Sequence, residues 1–204
     1  MKFRRKAQAE TAPEETPEPV PAVGPFDADD LPEAEREVER IDLGSLRIAP
    51  APGRELRLQV DEKTGVVQAV LLAGEEGALE LRAFAAPRGG DLWSDVRPQL
   101  AADVARRGGT AEEREGRYGT ELVCRLTVKL ADGQTGVQPS RIMGINGPRW
   151  LLRATLLGRP ALEPETAEEW ERLVEGVVVH RGQGAMPVGE ALPLTMPPQA
   201  RRVE

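Results

Sequence analysis

The sequence predicts an α+β fold, a mainly antiparallel sheet of about six or seven strands packed with two helices. Three observations carry that prediction. Polar and apolar residues alternate over residues 55–60, 78–85, 121–130 and 149–157, the period of a half-buried strand. Short, turn-rich links join neighbouring runs, among them Asp61-Glu62-Lys63-Thr64-Gly65, Gly74-Glu75-Glu76-Gly77 and Asp132-Gly133, and these suit antiparallel hairpins better than parallel crossovers. Two stretches, 94–107 and 164–177, repeat apolar residues at helical spacing.

Residues 1–40 read as a disordered acidic tail with a basic start. Pro13, Pro17, Pro19, Pro21, Pro25 and Pro32 interleave with acids and leave little apolar surface to offset the cost of ordering. Within the tail, Leu31–Arg40 can form a short helix and Phe26 can dock on the domain. One α+β domain is expected over residues 41–181, because 204 residues suffice for one core plus tails. In that domain Leu56, Leu58 and Val60 oppose Glu55, Arg57 and Gln59, the Asp61–Gly65 turn leads into Val66–Leu72, and Ala78–Ala85 completes a three-strand meander.

Pro87-Arg88-Gly89-Gly90 then breaks the sheet. The helix that follows runs to about Arg107 with Asp91 or Ser94 as its cap, and Pro98, awkward beyond the first turn, favours a start near Ser94. The clearest strand is Glu121–Leu130, with Leu122, Cys124, Leu126 and Val128 on one face and Glu121, Val123 and Arg125 on the other. Thr135–Ile145 returns, and Pro139 within it suits an edge or a bulge. Asn146-Gly147 turns into Arg149–Leu157. Pro164 and its following acids open the second helix, whose buried stripe is Trp170, Leu173, Val174 and Val177, and Val177–Val179 reads alternatively as a closing strand. Residues 182–204, with Pro187, Pro193, Pro197 and Pro198, read as an extended C-terminal tail.

Charge and composition narrow the function classes. The net charge is -7, with six basic against eleven acidic residues in 1–40, so residues 41–204 hold 21 against 23 and are nearly neutral. Phosphate neutralisation calls for a basic face, so nucleic acid is not the expected partner. Cys124 is the sole cysteine and His180 the sole histidine. A zinc site of cysteines and histidines is therefore not expected, and neither a metal nor a cofactor is called for. No apolar run reaches about 18 residues, the length that spans a bilayer, and no export signal follows Met1–Lys6, so a cytoplasmic location without stable membrane insertion is expected.

Several strings taken together, Gly24-Pro25-Phe26-Asp27, Arg40-Ile41-Asp42-Leu43-Gly44-Ser45-Leu46, Leu81-Arg82-Ala83-Phe84-Ala85-Ala86-Pro87-Arg88 and Asn146-Gly147-Pro148-Arg149-Trp150-Leu151-Leu152-Arg153, resemble the actinobacterial domain-of-unknown-function family numbered 3710. That resemblance implies an uncharacterised cytosolic protein and carries over no catalytic residue. The order of strands, helix, strands, helix is also similar to the Mog1 and PsbP-like sandwich, a likeness of topology that assigns no function.

No residue reads as catalytic. Arg149 and Arg153, four apart on one strand face, lie roughly 13 Å apart, too far for one anion to bridge. They are candidates for a partner surface, against the plainer reading of a solvated face paired with acids. Trp93 and Arg88, at the strand-to-helix break, are candidates of the same kind, Trp93 being weighed against a core position. Cys124 reads as a buried, inert thiol, and His180 as a surface residue without a nucleophile to serve. The expected function is a non-catalytic binding or adaptor module for a protein partner. The alternatives are an enzyme with a carboxylate-based site, or attachment to the inner membrane through Met1–Lys6.

Overall fold

In the computed structural model, which describes residues 23–129 and 133–197, each alternating run forms a strand, and the strands sort into two sheets. The chain runs β1 (Phe26–Asp27), α1 (Glu33–Arg36), β2 (Ile41–Asp42), β3 (Leu46–Ile48), β4 (Glu55–Val60), β5 (Val67–Ala73), β6 (Gly77–Ala85) and α2 (Leu92–Arg106). It continues through β7 (Thr110–Gly116), β8 (Gly119–Lys129), β9 (Thr135–Asn146), β10 (Trp150–Gly158), α3 (Pro164–Glu175) and β11 (Val178–Val179). The larger sheet has seven antiparallel strands in the order β4-β5-β6-β10-β9-β8-β7, and the smaller has four in the order β1-β11-β3-β2. The fold class is α+β.

The two faces of the large sheet carry separate cores, because period-2 alternation sends successive side chains to opposite sides. On one face Leu79, Leu81, Leu152 and Leu156 meet Ala167, Trp170 and Val174 of α3 together with Leu46, Ile48 and Val179 of the small sheet. On the other, Leu122, Cys124 and Leu151 meet Leu92 and Trp93 of α2, with Val96, Leu100 and Val104 at the margin. The helix α2 covers only the β7–β9 side of that face.

Several expectations need correction. Asp91, not Ser94, caps α2: its carboxylate accepts the Ser94 N–H at 3.1 Å, and the helix carries Pro98 inside it. Thr110–Gly116, not anticipated as a strand, is β7, an edge strand with exposed Glu112, Glu113, Arg114 and Glu115, the charged character that protects an edge from adding further strands. Pro139 lies in β9, which is an interior strand between β8 and β10. It is accommodated because the ladder with β10 begins only at Ser140, so on that side Pro139 has no neighbouring strand to donate to.

The ordered structure extends beyond residues 41–181 at both ends. Phe26 is buried, and β1 pairs in parallel with β11. At the C-terminal side, β5 pairs with β6 only over Ala78–Leu81, leaving the end of β6 open along that edge. Residues 189–192 fill it: the Ala85 N–H donates to the Glu190 carbonyl, the Gly189 N–H to the Ala85 carbonyl and the Leu192 N–H to the Ala83 carbonyl, each at 2.8 Å. Leu192 is buried there. Disorder across residues 1–22, the basic segment Met1–Lys6, the Asp132 turn and residues 198–204 lie outside the described residues.

Candidate functional site

An opening in the large sheet lies where β8 and β9 part company. Their pairing runs from Lys129 and Thr135 to Leu122 and Ile142 and stops there. Beyond that point β9 continues to Asn146 alongside β10, while β8 reaches back to Gly119 alongside β7. The result is a fork, and a cleft of about 380 Å³ sits at its mouth, lined among others by Asp91, Ser94, Arg97, Tyr118, Thr120 and Asn146.

Trp93 bridges the two prongs. Its ring lies on Gly144 of β9, where a Cβ would come within 2.0 Å of the ring, and its indole N–H donates to the Thr120 carbonyl of β8 at 2.7 Å. Gly144 is therefore a requirement of close approach. The first turn of α2 is tied to the same place: the Trp93 backbone N–H donates to Asn146 Oδ1 at 3.2 Å, and Asn146 Nδ2 donates to Asp91 Oδ1 at 2.7 Å. Ser94 Oγ donates to Asp91 Oδ2 at 2.5 Å. Hydrogen bonds from the Ser94 side chain and backbone, with a smaller one from Asn146, hold the Asp91 carboxyl below its ordinary pKa. Arg97, on the next turn, is engaged with Glu113 at 2.8 Å.

Behind the fork, on the α3 side, lies a buried ionic cluster. Arg141 of β9 pairs with Glu121 of β8 at 3.0 Å and with Glu171 of α3, and Arg114 meets Glu121 from β7 at 2.7 Å. Glu121 is 1% exposed and Arg141 4%. Gly116 makes room for this, since a Cβ there would stand 2.4 Å from the Glu121 carboxylate. Tyr118 packs between the cleft and α3, its hydroxyl 3.5 Å from the Glu171 carbonyl, and burial, helped by the negative charge of Glu175, raises its pKa. Strand alternation had put Glu121 on a polar face, and no local pattern announces that α3 will bury that face.

The residues singled out from sequence are dispersed. Trp93 is 3% exposed and belongs to the fork. Arg88 is exposed on the loop before α2. Arg149 donates to the Gly182 carbonyl at 3.2 Å, with Asp29 3.8 Å away. Arg153 contacts Glu80 at 3.4 Å on the sheet face beside α2. Cys124 is buried, which pushes its thiol pKa up, and His180 is exposed. Tyr118 and Thr120 escaped the sequence reading; Asp91 was legible as a helix cap and the Asn146-Gly147 turn signal marked the position of Asn146, but neither announced the bond between them. Among the described residues no group of three or more His, Cys, Asp or Glu side chains could hold a metal ion, and no helix is long and apolar enough to cross a membrane.

Against known proteins, residues 24–203 match the model of a family described as "Protein of unknown function (DUF3710)". No curated protein matches. Among solved structures, the solution structure of cyanobacterial PsbP (CyanoP) from Synechocystis sp. PCC 6803 is similar with 13% identity and a TM-score of 0.40, covering 69% of this chain and 91% of that one.

Proposed function

We propose that this chain, which belongs to the DUF3710 family of proteins of unknown function, is a non-catalytic binding module of the cytoplasm that receives a polar side chain of a protein partner in the fork between β8 and β9. One observation carries this reading: the cleft walls are fixed before any partner arrives, with Asp91 and Ser94 bonded to each other, α2 and β9 joined through Asn146, and the Trp93 indole bonded across the fork to Thr120. Fixed polar walls lower the ordering cost of binding. The same bonds argue against proton transfer. Asp91 is held in its charged form by its donors, and burial keeps the Tyr118 hydroxyl protonated, so neither group is poised near neutrality. A buried, solitary thiol at Cys124 fits a reducing compartment.

A photocrosslinking residue at Arg97, beside the cleft, tests this in the source cells, with the same residue at exposed Arg172 on α3 as control. The expected result is one discrete protein adduct from position 97 that is absent from position 172 and weakened by Asn146→Ala. Identical adducts at both positions, or consumption of a small molecule from a metabolite extract by the pure protein, would overturn the reading.

A further inference from the structure

The part of the α2-side sheet face that α2 leaves uncovered holds a pair of like charges in direct opposition. Arg82 of β6 and Arg153 of β10 are register partners, so their Cβ atoms lie about 5 Å apart on the same face. Like charges in that position are destabilising unless something lies between them. The Arg153 side chain is 16% exposed, and among the described residues its one acid is Glu80, at 3.4 Å through a single Nη2 contact. Among the described residues Arg82 has no acid within 4.0 Å, so two guanidinium groups share one carboxylate, and the site keeps a net positive charge.

The donors are unspent as well. The Nε atoms of both Arg82 and Arg153 are buried without a hydrogen-bond partner. A buried donor left unpaired costs free energy that a satisfied one does not. The two guanidinium carbons sit 5.5 and 5.4 Å from the Phe84 ring centre, which supplies an apolar floor and holds the planar groups near one another. On the far side of Arg153 its register partner is Gly144, the residue under the Trp93 ring. The pair therefore lies over Phe84 and next to the residue that carries the Trp93 ring.

We propose that Arg82 and Arg153 form a binding site for an oxyanion, a carboxylate or phosphate group bridged by the two guanidinium groups over Phe84. A planar fork of N–H donors matches either oxyanion, and a bound one would satisfy free donors while screening the repulsion across the β6–β10 pair. Burial, followed by the neighbouring Arg82 charge, lowers the pKa of Arg153, in keeping with a positive charge short of counter-charge. This site is separate from the fork, and its failure would leave the fork reading untouched.

The full chain is titrated with inorganic phosphate and with acetate, each against chloride at equal ionic strength, while Tm and the Arg Nε–Hε resonances are followed. A saturable rise of roughly 3 °C or more, with two Nε–Hε signals shifting, is expected from one or both anions. A response to phosphate alone identifies a phosphate ligand, and a response to acetate a carboxylate. In Arg82→Gln the saturable rise should vanish, while the Tm in chloride stays at or above that of the parent because the like-charge pair is gone. No saturable response to either anion would overturn the proposal. So would an equal response in Arg82→Gln, which is the general salting effect of phosphate on any folded protein.

Discussion

At the scale of single residues, the buried cluster around Arg141 makes the sharpest claim. Arg141 is held between Glu121 and Glu171 with almost no access to water, so its charge is stabilised only by those partners. Arg141→Leu leaves Glu171 without its partner and Glu121 with Arg114 alone, and should cost about 3–5 kcal/mol in urea denaturation. Glu121→Leu combined with Arg141→Leu should recover part of that loss, since it removes the more deeply buried of the two carboxylates that Arg141 serves and leaves only Glu171 without its partner; a double variant as unstable as the single one would refute this account. Gly144→Ala makes a second test, because its methyl would overlap the Trp93 ring. Displacing Trp93 should cost about 1–3 kcal/mol and shift its fluorescence to the red as the indole loses Thr120 and meets water. Sequence revealed some of this and hid the rest. The alternation around Cys124 predicted a buried thiol. Trp93 stood between core and surface because its burial depends on Gly144, 51 positions away, and Arg153 was paired in the sequence reading with Arg149, on its own strand, whereas the structure sets it opposite Arg82.

At the scale of elements, the hairpins were legible because local alternation and local turns suffice to specify them. β4, β5, β6, β8 and β10 fall within a few residues of the positions that period 2 assigns. β7 was not legible. Its charged residues carry no alternating apolar signal, and it is a strand because β8 supplies a ladder for it from Thr110 to Gly116. Residues 189–192 follow the same logic: a Pro-rich stretch reads as a loose tail until the unpaired end of β6 is in view. Most of the small sheet was hidden for a similar reason, since β1 and β2 are two residues each and exist only through pairing across the chain, whereas the apolar run Val177–Val179 offered β11 as a closing strand. If the 189–192 segment belongs to the fold as its burial implies, Leu192→Ala should cost about 2–4 kcal/mol in chemical denaturation. It should also raise amide exchange at Ala85, whose N–H donates to the Glu190 carbonyl. A change below about 0.5 kcal/mol, the range of ordinary surface substitutions, would assign the segment to the surface instead.

At the scale of the whole molecule, the response to pH follows from which groups the fold perturbs and in which direction. Asp91 is lowered by its bonds from Ser94 and Asn146, Asp61 by Thr64 and Lys63, Glu55 by Arg57, Glu163 by Arg159 and Thr166, and Glu168 by Arg172. A carboxyl with a depressed folded pKa contributes stability that is present above its unfolded pKa, about 4, and is lost as pH falls through the folded value. Apart from half-buried Asp61 these groups are exposed, so each contributes little and salt weakens the ion-paired ones. The alkaline edge has a different origin. The Tyr118 hydroxyl is raised, first by burial and then by Glu175, so folding favours its neutral form. That contribution is fully present below the ordinary tyrosine pKa of about 10 and is lost as pH rises toward the folded value. Stability should accordingly form a plateau with a shallow acid edge below about pH 4 and a steeper alkaline edge above about pH 10. Urea midpoints measured across that range check the shape. Asp91→Asn should flatten part of the acid edge, and Tyr118→Phe should remove most of the alkaline one while changing stability at pH 7 by no more than about 1 kcal/mol, since the hydroxyl loses a 3.5 Å contact to the Glu171 carbonyl and a half-exposed partner in Arg117. An alkaline edge that persists unchanged in Tyr118→Phe would move the control to the arginine-rich ion pairs around α3, whose loss would then have to precede exposure of the tyrosine.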